Sequence, residues 1–232
     1  MKPFAAVQAL LKYNSQESRY EFCGSCFRLW AEDYYLTARH CINGSIPKTI
    51  KVLNCLDDNL FIECIAIHEH PTADIAVLQV KDNIPQEFQR FKLSKKEYTL
   101  GTYVHCFGLL HDWMLNPNHE IAPGRVVGGI IQRDFIHNDG LYVSLSLEFS
   151  APIPIGMSGG PAFYAHKDDT VLGMAIGTIK SSVVVHQHTE YEDDRVKEKE
   201  KISEITRYGV ILRLLKFKDW LESILPTPEQ IE

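Results

Sequence analysis

The sequence predicts an all-β protein closed by one helix, on three observations. Short runs rich in Val, Ile, Tyr, Phe and Thr alternate with turn residues along most of the chain. A break at Asp82-Asn83-Ile84-Pro85 opens a linker that runs to Lys96 and separates residues 1–95 from residues 96–232. Helical spacing of apolar residues is clear only near the C-terminus. With 232 residues, 45% of them hydrophobic and 23% charged, the chain can bury a full core as one large all-β unit or as two small barrels.

Taken in order, the first strand is expected near Phe4 to Leu11, with Asn14 to Ser18 as a turn and Tyr20 to Leu29 as its partner. Tyr34 to Thr37 is an aromatic and β-branched strand that ends at His40. Lys51 to Asn54, Phe61 to Ile67 and Ile75 to Val80 complete the first half. In the second half the strands are Val104 to Gly108, Gly124 to Gln132, Leu141 to Leu147, Thr170 to Ile179 and Tyr208 to Leu212. Leu214, Phe217, Leu221, Ile224 and Leu225 recur at helical spacing before Pro226, which predicts an amphipathic helix over Leu214 to Leu225. Between the last two strands, Ser181 to Ser203 carries Glu190, Glu192, Asp193 and Asp194 followed by Arg195, Lys197, Lys199 and Lys201. Such a mixed run reads as a solvated loop, with a flap or partner-binding segment as the alternative; His186 and His188 within it are too isolated to act as ligands.

Composition excludes several classes. A net charge of −6 offers no basic face for a phosphate backbone, so nucleic acid is not an expected partner. No apolar run approaches the roughly 18 residues of a membrane-spanning helix, so a membrane is not expected either. Phe4 to Leu11 makes a poor signal-peptide core, since Gln8 interrupts it and no small-residue cleavage site follows, which favours a cytoplasmic location.

The chemistry is concentrated in Gly156-Met157-Ser158-Gly159-Gly160-Pro161. Glycines on both sides let the backbone bend so that the Ser158 Oγ projects, while neighbouring N–H groups face the same space. Serine is a weak nucleophile without a base and a group to orient that base. His40 follows the Tyr34 to Thr37 strand, and Asp74 stands at the mouth of Ile75-Ala76-Val77-Leu78. An α/β-hydrolase would place its serine before the acid and the histidine, on a turn into a helix. Here the order is His, Asp, Ser, and Pro161-Ala162-Phe163-Tyr164 starts no helix.

The segments Leu36-Thr37-Ala38-Arg39-His40, Asp74-Ile75-Ala76-Val77-Leu78 and Gly156-Met157-Ser158-Gly159-Gly160-Pro161 together resemble the motifs of the trypsin/chymotrypsin-like serine proteases. They stand nearer to the HtrA/Deg and glutamyl-endopeptidase branches than to the digestive enzymes. The resemblance implies two six-stranded antiparallel β-barrels and a C-terminal α-helix, with His40 and Asp74 on the first barrel and Ser158 on the second. It implies a serine endopeptidase acting on protein or peptide substrates, with an oxyanion hole from the N–H groups of Gly156 and Ser158 and no cofactor or metal. The alternative is a protease-fold binding module that stays inactive until a regulatory protein partner orders that hole. By the same resemblance the substrate pocket has its floor at Pro152 beside Ile153 and its walls near Thr178 and Gly209, with no carboxylate to select Arg or Lys. Met157 replaces the Asp that in the digestive branch receives a cleaved N-terminal amine, so activation by that ion pair is not expected.

Six cysteines remain. Cys23-Gly24-Ser25-Cys26 has the spacing of a redox pair or half a zinc site, to which His40-Cys41 or His105-Cys106 would add ligands. The family resemblance instead pairs Cys23 with Cys41 as a structural disulfide. Cys55 and Cys64 flank a turn at Asp57-Asp58-Asn59, and in a reducing compartment all six would stay thiols buried as small apolar side chains.

Overall fold

A computed structural model describes residues 6–53, 61–81, 90–95, 98–111, 124–192 and 195–226. Strands β1 (Val7–Asn14), β2 (Arg19–Phe27), β3 (Tyr34–Thr37), β4 (Ile50–Leu53), β5 (Phe61–Glu69) and β6 (Ala76–Val80) close into a six-stranded barrel in the order β1-β2-β3-β6-β5-β4. Closure comes from β4 pairing back on β1, with Ala9 opposite Leu53 and Lys12 opposite Ile50. Leu10, Phe27, Tyr35, Leu36, Ile50 and Leu78 fill the interior and are fully buried. Each such side chain contributes roughly 1.5–3 kcal/mol relative to exposure, which is why the alternating β-branched and aromatic pattern fixes this part of the fold. The turn at 57–59 and Cys55 lie outside the described residues.

The second half is a seven-stranded sheet in which six strands are linked in a ring. Its strands are β7 (Lys92–Leu93), β8 (Tyr103–Leu109), β9 (Gly124–Asn138), β10 (Val143–Phe149), β11 (Pro161–Tyr164), β12 (Lys167–Glu192) and β13 (Arg195–Arg213). The order is β11-β8-β9-β10-β13-β12-β7, and β11 also pairs with β12, so the sheet curls back on itself with β7 left outside the turn. β7 runs parallel to β12, Lys92 and Leu93 opposite Thr170 and Val171. The described end of the expected linker is therefore part of the sheet. Phe91 fixes it there, 1% exposed between Phe27 of the first barrel and Phe163 of β11, at ring separations of 5.7 and 6.2 Å.

The segment expected to be a loop at 181–203 is instead the outer half of one long hairpin. β12 and β13 stay in register from Gly173 opposite Arg213 to Glu192 opposite Arg195, with shifts at Ala175/Gly177, Val184/His186 and Glu190/Tyr191. Charge content suggested solvation, but Val183, Val184, Val185, Ile202, Ile205 and Thr206 are strand formers, and β-branched residues on paired strands outweigh a charge count.

The C-terminal helix forms in two parts, a 3₁₀ turn at Leu214–Phe217 and α2 (Lys218–Ile224), the one-turn helix α1 (Arg39–Ile42) having come earlier in the chain. Leu214, Leu221 and Leu225 are buried in the same cluster as the first barrel's core. Trp30 Nε1 donates to Pro226 O at 2.9 Å and holds the helix end against that barrel. Among the described residues no helix is long and apolar enough to cross a membrane.

Candidate active site

The His40 and Asp74 segments meet because β3 and β6 are paired, Thr37 opposite Ala76, so the turns leaving them lie side by side. His40 sits in α1, where Cys41 N–H donates to Ala38 O but the His40 N–H, one residue earlier, has no acceptor within so short a helix. Asp74, 2% exposed, supplies one: its Oδ1 accepts from His40 N–H at 2.8 Å, and its Oδ2 lies 2.7 Å from His40 Nδ1. A buried carboxylate holding both the backbone and the ring fixes the side chain and leaves Nε2 outward, with the ring about one third exposed.

The Asp74 turn is itself braced. His70 Nδ1 accepts from the N–H groups of Thr72 and Ala73 at 3.3 and 3.0 Å. The His70 ring stands edge-on to Phe217 and Trp220, with centroids 5.0 and 5.2 Å away. Arg39 donates to Glu69 Oε2 at 2.7 Å and to the carbonyls of His70 and Pro71, and its guanidinium lies over the Tyr142 ring. Val143 N–H donates to Thr72 O, tying the turn to β10. Burial, and then the Arg39 charge, hold the His70 pKa below its ordinary value of 6.5. The folded value lies below the unfolded one, so the neutral ring's contribution is complete above pH 6.5 and is lost as pH falls below it. Acid titration of unfolding free energy should show this loss in the wild type and a flatter profile in His70→Asn, whose Oδ1 keeps an acceptor without titrating; identical profiles would count against it.

Ser158 is held by its backbone. Its carbonyl accepts from Ser25 N–H at 2.8 Å and from Cys41 Sγ at 3.8 Å, which sets it directly against β2 and the residue after His40. Among the described residues no hydrogen bond joins the Ser158 hydroxyl to His40; the two segments touch through the Cys41 thiol and the Ser158 carbonyl. Catalytic hydrogen bonds commonly tighten only when substrate is bound. Gly159 N–H donates to Ala175 O, and Ala175 N–H donates to Gly160 O, which anchors the serine turn to β12.

The two peptide units before Ser158 are pinned as well. Ile155 O accepts from His111 N–H at 3.2 Å and Gly156 O from Ser25 Oγ at 2.9 Å. Because the peptide is trans and planar, fixing the Ile155 carbonyl aims the Gly156 N–H the opposite way. Neither Gly156 N–H nor Ser158 N–H donates to an acceptor among the described residues, so both remain available. Gly156 has φ +96, and a Cβ there would lie 2.6 Å from His111 N and 2.7 Å from Leu109 O, so only glycine fits. Met157 is fully buried in the second sheet's core, which makes it a packing residue.

Ser25 is the residue that sequence reasoning missed. It is fully buried; its Oγ donates to Gly156 O and accepts from Leu109 N–H, its N–H reaches Ser158 O, and its carbonyl accepts from Thr37 Oγ1. A small polar residue inside an apolar strand was the only signal. Ser25→Ala leaves Leu109 N–H without its buried acceptor, at a cost of about 1–3 kcal/mol, and frees the Gly156 peptide. The expected result is a lowered denaturation midpoint together with a larger fall in kcat than in KM; unchanged kcat would show that the hydroxyl does not position the turn.

The residues expected to form the pocket are brought together in part. Thr178 lies opposite Gly209, and its hydroxyl clasps Ile153, accepting from the Ile153 N–H at 2.8 Å and donating to the Ile153 carbonyl at 2.9 Å. A Cβ on Gly209 would fall 2.6 Å from Ala151 O and 2.9 Å from Ile153 Cγ1. Ile153 is therefore buried against Gly209, whereas Pro152 is exposed.

The Cys23 to Cys41 disulfide does not form. Cys23, Cys26, Cys41, Cys64 and Cys106 are free thiols. Strand alternation explains the error: Cys23 turns its Sγ toward Leu10 O, and Gly24 is the position facing Cys41, where an added Cβ would sit 2.6 Å from Cys41 Sγ. Burial pushes the Cys23 thiol up to about 12 and Cys64 to about 11, and raises Cys41 and Cys106 well above the usual range. These thiols stay protonated and are poor nucleophiles. Among the described residues no three His, Cys, Asp or Glu side chains gather as a metal site.

A curled β architecture with an Asp-held histidine facing a glycine-rich serine turn defines a protease fold. Residues 24–174 match the model of the trypsin-like peptidase domain, and the chain belongs to that family. No curated protein matches the sequence. Among solved structures it is similar to the Rv3671c protease from M. tuberculosis in its active form, at 15% identity and a TM-score of 0.66, covering 97% of this chain and 84% of that one. It is also similar to the HtrA-type protease AlgW with tripeptide, at 17% identity and a TM-score of 0.63, covering 96% of this chain and 60% of that one. A third is the MamO protease domain from Magnetospirillum magneticum, apo form, at 15% identity and a TM-score of 0.63, covering 94% of this chain and 96% of that one. The similar structures thus fall among HtrA-type and related trypsin-like proteases.

Proposed function

We propose that this chain is a serine endopeptidase that hydrolyses peptide bonds through His40, Asp74 and Ser158. The observation that carries the reading is the buried Asp74 carboxylate holding both His40 N–H and His40 Nδ1. In the reaction His40 Nε2 takes the proton from Ser158 Oγ as the oxygen bonds to the substrate carbonyl carbon. The negative charge passes to the carbonyl oxygen, where the N–H groups of Gly156 and Ser158 receive it. His40 then gives the proton to the leaving amine as the C–N bond breaks. Water, activated by the same imidazole, releases the acyl group and restores Ser158. Asp74 keeps Nδ1 protonated and offsets the imidazolium charge.

For the residue before the cleaved bond, the chemistry of Ile153, Thr178 and Gly209 favours a small to medium apolar side chain. No carboxylate stands among them, and the Thr178 hydroxyl is occupied by main chain. A cationic side chain there would be desolvated without a partner, at a cost of several kcal/mol. The acidic positions 190 and 192 are carried outward along β12, Glu190 roughly 40 Å from Thr178 at about 3.3 Å per residue, while 193 and 194 lie outside the described residues. A fluorophosphonate probe should label the wild type and not Ser158→Ala, and a peptide library should show Ala, Val or Leu preferred over Arg and Lys. Absence of labelling would overturn the hydrolytic reading; dominant cleavage after Arg or Lys would overturn the pocket.

A further inference from the structure

A cavity of about 930 Å³ opens where Trp30 of the first barrel, β7, the β11–β12 turn and the C-terminal helix meet, and none of His40, Asp74 or Ser158 lines it. That volume is at the upper end of the roughly 300–1,000 Å³ usual for ligand sites. Its walls are aromatic. Trp30, Tyr98 and Tyr164 line it, and each has its polar end engaged: Trp30 Nε1 donates to Pro226 O, Tyr98 OH donates to Asp134 Oδ1, and Tyr164 OH shares a hydrogen bond with the buried Ser94 Oγ. The rings are thereby fixed, and what they offer a ligand is carbon surface. Leu93 and Leu215 extend it. Around this surface stand Lys92, Lys95, Lys167 and Lys218, against one lining carboxylate, Glu222. Lys92 is paired with Asp169 at 3.1 Å and Lys218 with Glu222 at 3.5 Å, whereas Lys95 and Lys167 are exposed with no carboxylate partner among the described residues. In a chain of net charge −6 this is a local excess of positive charge, even with Asp169 counted.

We infer that this cavity is a binding site for an acidic peptide segment that carries an aromatic side chain and belongs to a partner protein. The aromatic side chain enters between Trp30, Tyr98 and Tyr164, and the flanking carboxylates reach Lys95 and Lys167. Burial of the ring supplies the affinity, and the lysines select for acidic flanks. Two features favour carboxylates over phosphates. The four cations are all lysines, which act as point charges, and among the described lining residues no arginine presents the planar fork that grips phosphate at two oxygens. Nor is there a glycine among those residues, as a turn cradling phosphate with successive N–H groups would require. Because the cavity shares no residue with the catalytic segments, the site goes beyond the proposed hydrolysis and does not depend on it.

The test is the fluorescence anisotropy of a labelled Asp-Asp-Trp-Glu-Glu peptide titrated with Ser158→Ala, so that binding is read without turnover. Binding should saturate below about 100 μM and weaken about threefold or more between about 50 and 300 mM salt. Lys95→Glu combined with Lys167→Glu should lower the affinity about tenfold or more. Lys48→Glu combined with Lys81→Glu, the same charge change on exposed lysines of the first barrel, should leave it unchanged. None of these four side chains has a hydrogen bond or ion pair among the described residues, so both double variants should melt at the temperature of the parent. Replacing the peptide's tryptophan by serine should also cost about tenfold. No saturable binding, equal affinity in the Lys95 and Lys167 double variant, or undiminished affinity of the serine peptide overturns the inference. So does equally tight binding of a thymidine oligonucleotide of the same charge, which would make the cavity a reader of charge alone.

Discussion

Ser158→Ala is expected to abolish peptide hydrolysis, by about 10⁴ to 10⁶ in kcat, while its thermal unfolding stays close to that of the wild type. The hydroxyl makes no hydrogen bond among the described residues, and the turn is held by Ser158 O, Gly159 N–H and Gly160 O, none of which the substitution removes. His40→Ala should cost as much in rate. Asp74→Asn should cost somewhat less: the amide can still accept from His40 N–H but presents an NH₂ group to Nδ1 and favours the wrong tautomer. Burst and steady-state kinetics on one peptide, with circular dichroism on each variant, would check all three. Hydrolysis by Ser158→Ala at the wild-type rate would end the serine-protease reading.

Gly159→Ala should have the largest effect on stability. Gly159 has φ +86, and a Cβ would fall 2.0 Å from Ser25 O and 2.5 Å from Thr37 Oγ1. Both neighbours belong to buried strands that cannot withdraw without breaking the barrel. Left-handed backbone costs about 1–2 kcal/mol for alanine, and overpacking adds about 1–3 kcal/mol, so a loss of about 2–5 kcal/mol is expected. Gly101→Ala is the internal control: its φ is +83, but nothing lies within 4 Å of the added Cβ, so only the backbone cost applies. Urea unfolding of the two variants should show the larger midpoint shift at 159, with the same denaturant slope. Equal shifts would mean that the serine turn relaxes around the methyl group.

Strand positions were legible where one face is buried, because burying alternate side chains leaves little freedom of register. That holds for β1 to β6 and for the start of β12. β7 was missed since two residues carry no period, and its placement depends on Phe91 packing across both halves. The hairpin at 181–203 was misread because its polar side chains need no core, and pairing between two exposed strands leaves little hydrophobic pattern. His40 and Asp74 were legible as a pair: their motifs precede and follow paired strands, and the structure joins them. Ser25 was not, since its value lies in four bonds to segments far off in sequence. The cysteine pairing failed for a one-residue reason. In a strand, moving by one position moves a side chain to the opposite face, and a motif match does not fix that register.

The brace beneath Asp74 ties a turn of the first barrel to residues much later in the chain. Phe217 and Trp220, which hold the His70 ring, belong to almost the last described turn of chain, whereas the ring they hold orients a turn in the first barrel. During synthesis from N- to C-terminus, β1 to β6 can emerge and close while His70 is still without its aromatic walls. Asp74 then rests on a half-supported turn until α2 docks. A chain clipped before Phe217 would keep His40, Asp74 and Ser158 but lose the aromatic walls of His70, leaving the turn that carries Asp74 less firmly held.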